Sequence, residues 1–193
     1  MKRLLITGFD PFGGSAVNPS WLAVEQLPDQ IGDYELCKLP IPTVFGKAAS
    51  LVLEKATVFQ PDLILCIGLA GGRNAVTPER IAVNIRDARI PDNEGTQPSG
   101  DRIVADGPAA YFATAPVGKM AQAIRDAGIP AAVSNSAGTF VCNDVFYTLL
   151  HHFSKTSTLV DFVHIPNTPE LGEPSLPLEK IVTALTAAIA ACS

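Results

Sequence analysis

Asp62-Leu63-Ile64-Leu65-Cys66-Ile67-Gly68 decides the fold. Its apolar core shows no polar alternation, as in a parallel strand buried on both faces. Leu159-Val160-Asp161-Phe162-Val163-His164-Ile165, just before Pro166, reads as a second central strand. Working outward, Val44 to Phe59 has the spacing of an amphipathic helix, and Tyr34 to Leu39 is a strand candidate. Arg3 to Thr7 is a strand that runs into a glycine-rich turn, Gly8 to Gly14. Asn18-Pro19 then supplies an N-cap and a first helical residue for Ser20 to Leu27. On the other side, Pro116 to Ala127 reads as a helix stopped by Gly128 and Pro130. Ala131 to Ser134 is a short strand candidate, and Leu178 to Ala191 an alanine-rich final helix. Strands alternating with helices over short connections predict an α/β fold, a single-domain three-layer α/β/α sandwich over residues 1–193 with a mostly parallel twisted sheet.

A chain of 193 residues, 47% hydrophobic, is long enough to bury one good core. Its net charge of −5, with no basic cluster longer than Lys2-Arg3, argues against nucleic acid and against an anionic membrane surface as partners. No apolar run approaches the ~20 residues of a membrane span, and the N-terminus enters a strand directly instead of a signal peptide. A cytoplasmic location is expected. Cys37, Cys66, Cys142 and Cys192 form no CxxC pair and no Cys/His cluster of metal-ligand spacing. Neither a metal nor a cofactor is expected, and the thiols should be free. Cys37 and Cys66 lie in apolar strand candidates and suit core packing.

Chemistry concentrates at Asn135-Ser136-Ala137-Gly138-Thr139-Phe140-Val141-Cys142-Asn143. A small-residue turn here leads into Val141, Val145, Phe146, Leu149, Leu150 and Phe153, which recur at helical spacing, so Cys142 falls in a first helical turn. Free N–H groups and the helix dipole favour thiolate there, drawing a cysteine down from about 8.5. The alternative is a small core residue. His151 and His152 lie on the same helix, about 14 Å along its axis, beyond reach. His164 stands at the carboxyl end of its strand, the edge where α/β sheets bind ligands and where neighbouring helices begin. Cys142 and His164 can therefore meet, although a histidine in an apolar strand can equally be a hydrogen-bonded core residue.

Other segments stay open. Thr77-Pro78-Glu79-Arg80 resembles a helix start, yet Ile81, Val83 and Ile85 alternate as in a strand. In a strand, Glu79 falls in phase with those three and points inward; in a helix it is an ordinary first-turn acid. Arg86 to Gly107 is longer than the usual ~12–15 residues of a loop and reads as a substrate-covering loop or a solvated connection. Gly8 to Gly14 and Leu69-Ala70-Gly71-Gly72-Arg73 match neither GxGxxG nor the Walker spacing. Phe9 and Phe12, in a turn that lets backbone approach a ligand, suit a flat, mostly apolar ligand or simply plug the sheet edge.

Taken together these motifs resemble the pyroglutamyl peptidase I family (pyrrolidone-carboxylate peptidases), cysteine peptidases that remove an N-terminal pyroglutamyl residue. The likeness runs from Gly8-Phe9-Asp10-Pro11-Phe12-Gly13-Gly14 and Asn18-Pro19 through Pro42 to Phe45 and Thr77 to Asn84. It continues through Asp87 to Asn93 and Ser136 to Asn143 to Phe162-Val163-His164-Ile165-Pro166. The resemblance implies a triad of Glu79, Cys142 and His164, with Glu79 on a strand. It also implies a ring pocket walled by Phe9, Phe12 and Phe140, and Arg89 near the oxyanion. Substrates would be peptides or proteins with N-terminal pyroglutamate, and the assembly a homo-oligomer, tetramer or dimer. Leu69 stands where some relatives carry Gln, Asn167 where an aromatic is usual, and Thr168 to Pro177 is shorter than the family pattern. Two other readings are a cysteine amidase for another small amide and a non-catalytic pyroglutamyl-binding protein.

Overall fold

The Asp62–Gly68 run forms a central strand, β4 (Leu63–Leu69), in a computed structural model that describes residues 1–193. The other strands of its sheet are β1 (Lys2–Phe9), β2 (Gln30–Ile31), β3 (Tyr34–Ile41), β5 (Thr77–Pro78) and β10 (Leu159–Ile165). Their order is β2-β3-β1-β4-β10-β5. The four long strands are parallel, and the two short ones close the edges antiparallel. β3 continues through Pro40 because β2 covers only Tyr34 and Glu35, which leaves an edge where proline is tolerated.

Five helices cover the sheet: α1 (Pro19–Gln26), α2 (Lys47–Phe59), α3 (Val117–Asp126), α4 (Val141–Phe153) and α5 (Leu178–Ala190). α1 starts as its sequence requires, with Asn18 Oδ1 accepting from Ser20 N at 3.0 Å and Pro19 at the first position. Strand residues alternate between the two faces. Leu63, Leu65 and Ile67 join Val163 and Ile165 in one core against α1, α3 and α5. Ile64 and Cys66 join Val160 and Phe162 in a second core against α2 and α4. Each fully buried Leu or Ile contributes about 1.5–3 kcal/mol, so both faces are strongly specified. The three-layer sandwich with a mostly parallel sheet is present. Residue 164 belongs to the face of 160 and 162, which turns His164 towards the layer that holds α4.

Three segments differ from expectation. Ala131 to Ser134 forms no strand, only isolated bridges from Ala131 to Val76 and from Ser134 to Glu79. Its partner β5 lasts two residues before the chain leaves the sheet, which gives a ladder nothing to extend along. Thr77 to Val83 is extended, not helical, but it changes sheets. β5 pairs with β10, and then β6 (Ile81–Val83) pairs with β9 (Ala110–Phe112) in a separate ribbon. The expected common phase breaks at that transfer: Glu79 and Ala82 are buried while Ile81 and Val83 are half-buried. Arg86 to Gly107 is neither a plain loop nor freely solvated, since β7 (Arg86–Asp87) and β8 (Ser99–Asp101) pair within it. Asp92 Oδ1 accepts from the backbone N–H of Glu94 and Thr96, and Oδ2 from that of Phe45. Asn84 Oδ1 accepts from Ile103 and Val104 N–H.

Asp161 breaks the apolar pattern of β10. Its side chain is fully buried, in phase with Val163 and Ile165, and neither carboxyl oxygen has a hydrogen-bond partner. Burial pushes this carboxyl well above the ordinary range; the nearby Phe162 N–H offsets that only in part, and the Glu79 charge adds to it. An unsatisfied buried polar group costs about 1–3 kcal/mol. Asp161→Ala is accordingly expected to stabilise the fold by that amount at neutral pH. The folded state holds the Asp161 proton above the unfolded value near 3.9, so the native chain loses stability as pH rises from about 4 through the folded value, and the gain from Asp161→Ala grows over that range. Urea midpoints of both proteins at pH 5 and pH 8 test this, and a variant less stable than the native chain at pH 8 would refute it.

Candidate active site

α4 begins abruptly. Gly138, at φ +76°, turns the chain after Ala137, and Phe140 enters the helix from an extended conformation without a side-chain cap. The backbone donors of the first turn are thus left for a ligand. Cys142 is the second helical residue. Three contacts fix this turn in space. Asn143 Oδ1 accepts from Val83 N at 2.9 Å and its Nδ2 donates to Val83 O at 2.8 Å, tying α4 to β6. Asp144 accepts from Arg86 Nε at 2.6 Å and from Gly46 N at 2.7 Å, tying it to β7 and to the start of α2. Thr139 Oγ1 donates to Asp87 O at 2.8 Å.

The thiol lies over the carboxyl end of β4, and Gly68 makes room for it. A Cβ at position 68 would stand 2.7 Å from the Phe162 ring and 3.0 Å from Cys142 Sγ, so only glycine fits without displacing both. Gly68 is in register with His164, whose imidazole faces the same side. Because β5 pairs Thr77 with His164, the residue just beyond β5 reaches that imidazole: His164 Nδ1 and Glu79 Oε1 are 2.7 Å apart. Glu79 is wholly buried and His164 nearly so.

Cys142 and His164 line one cavity of about 230 Å³. Phe9, Phe12 and Phe140 contribute aromatic wall, with Phe12 and Phe140 6.4 Å apart between ring centres. Phe45 buttresses Phe140 edge-on at 5.3 Å. Leu69, Ala70 and Ala137 complete the apolar lining, and Arg73 borders it as a cation. Asn18 and Thr43 also border it, but their side chains are committed to neighbouring groups around Asp10 and Ser20. Arg89 is elsewhere. It is exposed and lines an adjoining depression with Ile90 and Thr139, across Phe140 from the thiol. His151 is also elsewhere, bonded through Nδ1 to the Tyr111 hydroxyl at 3.0 Å.

Burial sets the resting charges. It pushes the Cys142 thiol up to about 12, with the Glu79 charge and Cys66 adding to the rise and Arg73 opposing it. The helix start expected to favour thiolate is present, but desolvation outweighs it. Burial likewise lowers the His164 imidazole, against the pull of Glu79. For Glu79, burial acts upward, but bonds and charge from His164, helped by Ser134 and Arg73, hold the carboxyl below its ordinary value. The resting trio is thiol, neutral imidazole and carboxylate, with Nδ1–H donating to Glu79. Several contributors escaped the sequence reading. Gly68, Asn143 and Asp144 locate the thiol, and Arg73 bonds Glu79 Oε1 at 2.6 Å. The signal available was two polar residues directly after Cys142 and a cation ending a glycine turn.

A thiol at a helix start, an imidazole at a strand end and a buried carboxylate behind it, all at one apolar cavity, define the class of α/β cysteine hydrolases. The chain belongs to the pyroglutamyl peptidase family of cysteine peptidases, which it matches over residues 2–193. It is similar to a pyrrolidone-carboxylate peptidase of Bacillus licheniformis, 50% identical over 191 residues that span 95% of this chain and 89% of that protein. A second, from Lactobacillus johnsonii, is 49% identical over 98% of this chain and 91% of its own length. The crystal structure of Bacillus amyloliquefaciens pyroglutamyl peptidase I superposes with a TM-score of 0.96 at 46% identity, covering 100% of this chain and 97% of that one. The pyrrolidone carboxyl peptidase of Thermococcus litoralis gives 0.95 at 38% identity, over 100% and 93%.

Proposed function

We propose that this protein hydrolyses the amide bond that follows an N-terminal pyroglutamyl residue of peptides, with Cys142 as nucleophile, His164 as general base and Glu79 as its orienting acid. The observation that carries the reading is the 2.7 Å Glu79–His164 bond, which leaves Nε2 free at the cavity that Cys142 also lines. As Sγ attacks the pyroglutamyl carbonyl, its proton passes to His164 Nε2, and Glu79 steadies the imidazolium. The oxyanion is received by backbone N–H groups at the start of α4; Arg89, which the family resemblance puts near it, lies across Phe140 in the adjoining depression. Collapse breaks the C–N bond, His164 returns the proton to the leaving amine, and a thioester remains. Water, deprotonated by His164, then releases pyroglutamate and restores the thiol.

Pyroglutamate is a neutral lactam with no free amine, which suits a cavity walled by Phe9, Phe12, Phe140 and Leu69. Leu69 offers no side-chain hydrogen bond, so the ring N–H and C=O fall to backbone groups. A substrate with N-terminal glutamine instead brings a charged α-amine into an apolar site, and one with N-terminal proline brings a charged amine and lacks the ring C=O, which leaves a backbone partner unpaired. The catalytic domain spans residues 1–193. All four cysteines are free, which suits a reducing compartment, and we assign the enzyme to the cytoplasm as a homo-oligomer. The test is release of a fluorogenic amine from a pyroglutamyl amide under reducing conditions, beside a prolyl amide. Turnover of the first alone is expected. Turnover of other acyl amides instead would favour the small-amide amidase, and tight binding without turnover the binding protein.

A further inference from the structure

Glu79 Oε1 accepts two bonds, from His164 Nδ1 at 2.7 Å and from Arg73 Nη1 at 2.6 Å. Oε2 is buried with no partner. Both donors therefore act on one oxygen and fix the rotation of the carboxylate about its stem. Arg73 is itself fastened at two more points, Nη1 donating to Thr77 Oγ1 at 2.5 Å and Nη2 to Ser136 O at 2.9 Å. That joins the loop after β4, the strand β5 and the turn before α4 through one guanidinium. The loop carrying it is clamped from just past the end of β10, where Asn167 Nδ2 donates to Gly71 O at 3.0 Å. A Cβ at position 71 would stand 2.7 Å from Asn167 Oδ1 and would displace that side chain from its bond to the loop.

We propose that Arg73 is a positioning residue for the catalytic trio, holding Glu79 ionised with Oε1 towards His164 and offsetting its charge so that the imidazole stays neutral until the thiol proton arrives. This rests on the peptidase reading above. Burial lowers the His164 imidazole and the Glu79 carboxylate raises it, so the Arg73 charge adds to burial in keeping the imidazole free to take a proton from sulfur. The charged or titratable groups about His164 are few. Glu79 and Arg73 stand on one side, Cys142 on α4 and Cys66 on β4 on the other, and Asp161 on the opposite face of β10. Arg73 is the only cation among them, and its charge acts to lower the imidazole and the thiol together. A fork that bonds carboxylate, hydroxyl and carbonyl at once is a task for arginine and not for lysine.

The test compares native protein with Arg73→Met, which removes the charge, and Arg73→Lys, which keeps it and loses the fork. Two readouts are taken: the acid limb of kcat/KM for the pyroglutamyl amide, and the proton NMR titration of His164 without substrate, assigned by its loss in His164→Gln. Arg73→Met is expected to move both midpoints up by about one pH unit and to lower plateau kcat about tenfold. Arg73→Lys should keep the midpoints near native while losing part of kcat. Arg73→Gln supplies the same readings if the Met variant does not fold. Lower activity with unmoved midpoints would reduce Arg73 to a loop tether and overturn the proposal, as would midpoints that move down. If the native enzyme fails to turn over the amide, the peptidase reading falls, and the NMR titration still decides the role of Arg73.

Discussion

Cys142→Ala is expected to abolish turnover of a pyroglutamyl amide, a loss of roughly 10⁴- to 10⁶-fold in kcat, as removal of a triad nucleophile does elsewhere. Nothing else in the cavity can replace the thiol. Thr43 borders it, but its hydroxyl already donates to Asp10 Oδ1 at 2.9 Å. The fold should survive, since the change removes one half-buried sulfur from a turn held independently by Asn143 and Asp144. A melting temperature within a few degrees of native would show that chemistry alone was lost. Because burial holds the thiol up to about 12, the native enzyme should not carry a resting thiolate at neutral pH. Its acid limb then reports His164, whose value lies below the ordinary 6.5, so activity persists as pH falls through 6.5 and disappears only lower. A variant retaining more than about 1% of native kcat would remove Cys142 from the chemistry.

The parts of this design that were legible in the sequence are those written in long, uniform signals. Leu63 to Ile67 and the strand ending at His164 are uninterrupted enough to mark central strands, and the periodic stripe after Cys142 marks α4. The strand end and the helix start made a Cys142–His164 encounter geometrically open, and the family resemblance added Glu79. What stayed hidden is carried by short elements and by single side chains. β5 and β6 have two and three residues, too few for alternation to show that the chain changes sheets between them. Arg86 to Gly107 read by composition as a substrate-covering loop or a solvated connection, yet its own Asp92 and the preceding Asn84 turn their side chains onto its backbone donors. The helix start was readable at Cys142, but the depth at which Gly68 and Phe162 bury its thiol depends on residues far away in sequence. Asp161 carried no visible reason in the strand, and the fold supplies none.

Glu79→Gln is expected to lower kcat by about 10²- to 10³-fold, less than the ~10⁴-fold typical when an amide forces the wrong histidine tautomer. The difference follows from one atom. Oε1 already accepts from both Arg73 and His164, so a glutamine can keep its carbonyl oxygen at that point and leave Nδ1–H as the donor. The amide NH₂ then occupies the place of Oε2, which is buried without a partner, and stays unsatisfied there. What is lost is the negative charge. The imidazolium formed during attack goes uncompensated beside the Arg73 guanidinium, and protonation of His164 becomes harder. The acid limb of kcat/KM should therefore move down in pH, opposite in sense to Arg73→Met, while KM changes little because Glu79 does not line the cavity. Stability should also fall, by about 1–3 kcal/mol for the buried unpaired amide. An acid limb that moves up would mean that the carboxylate does not set the imidazole's charge. A loss reaching 10⁴-fold with the limb unmoved would mean instead that the amide had turned over and inverted the tautomer. In either case the shared oxygen would not be the link through which Arg73 and His164 act on each other.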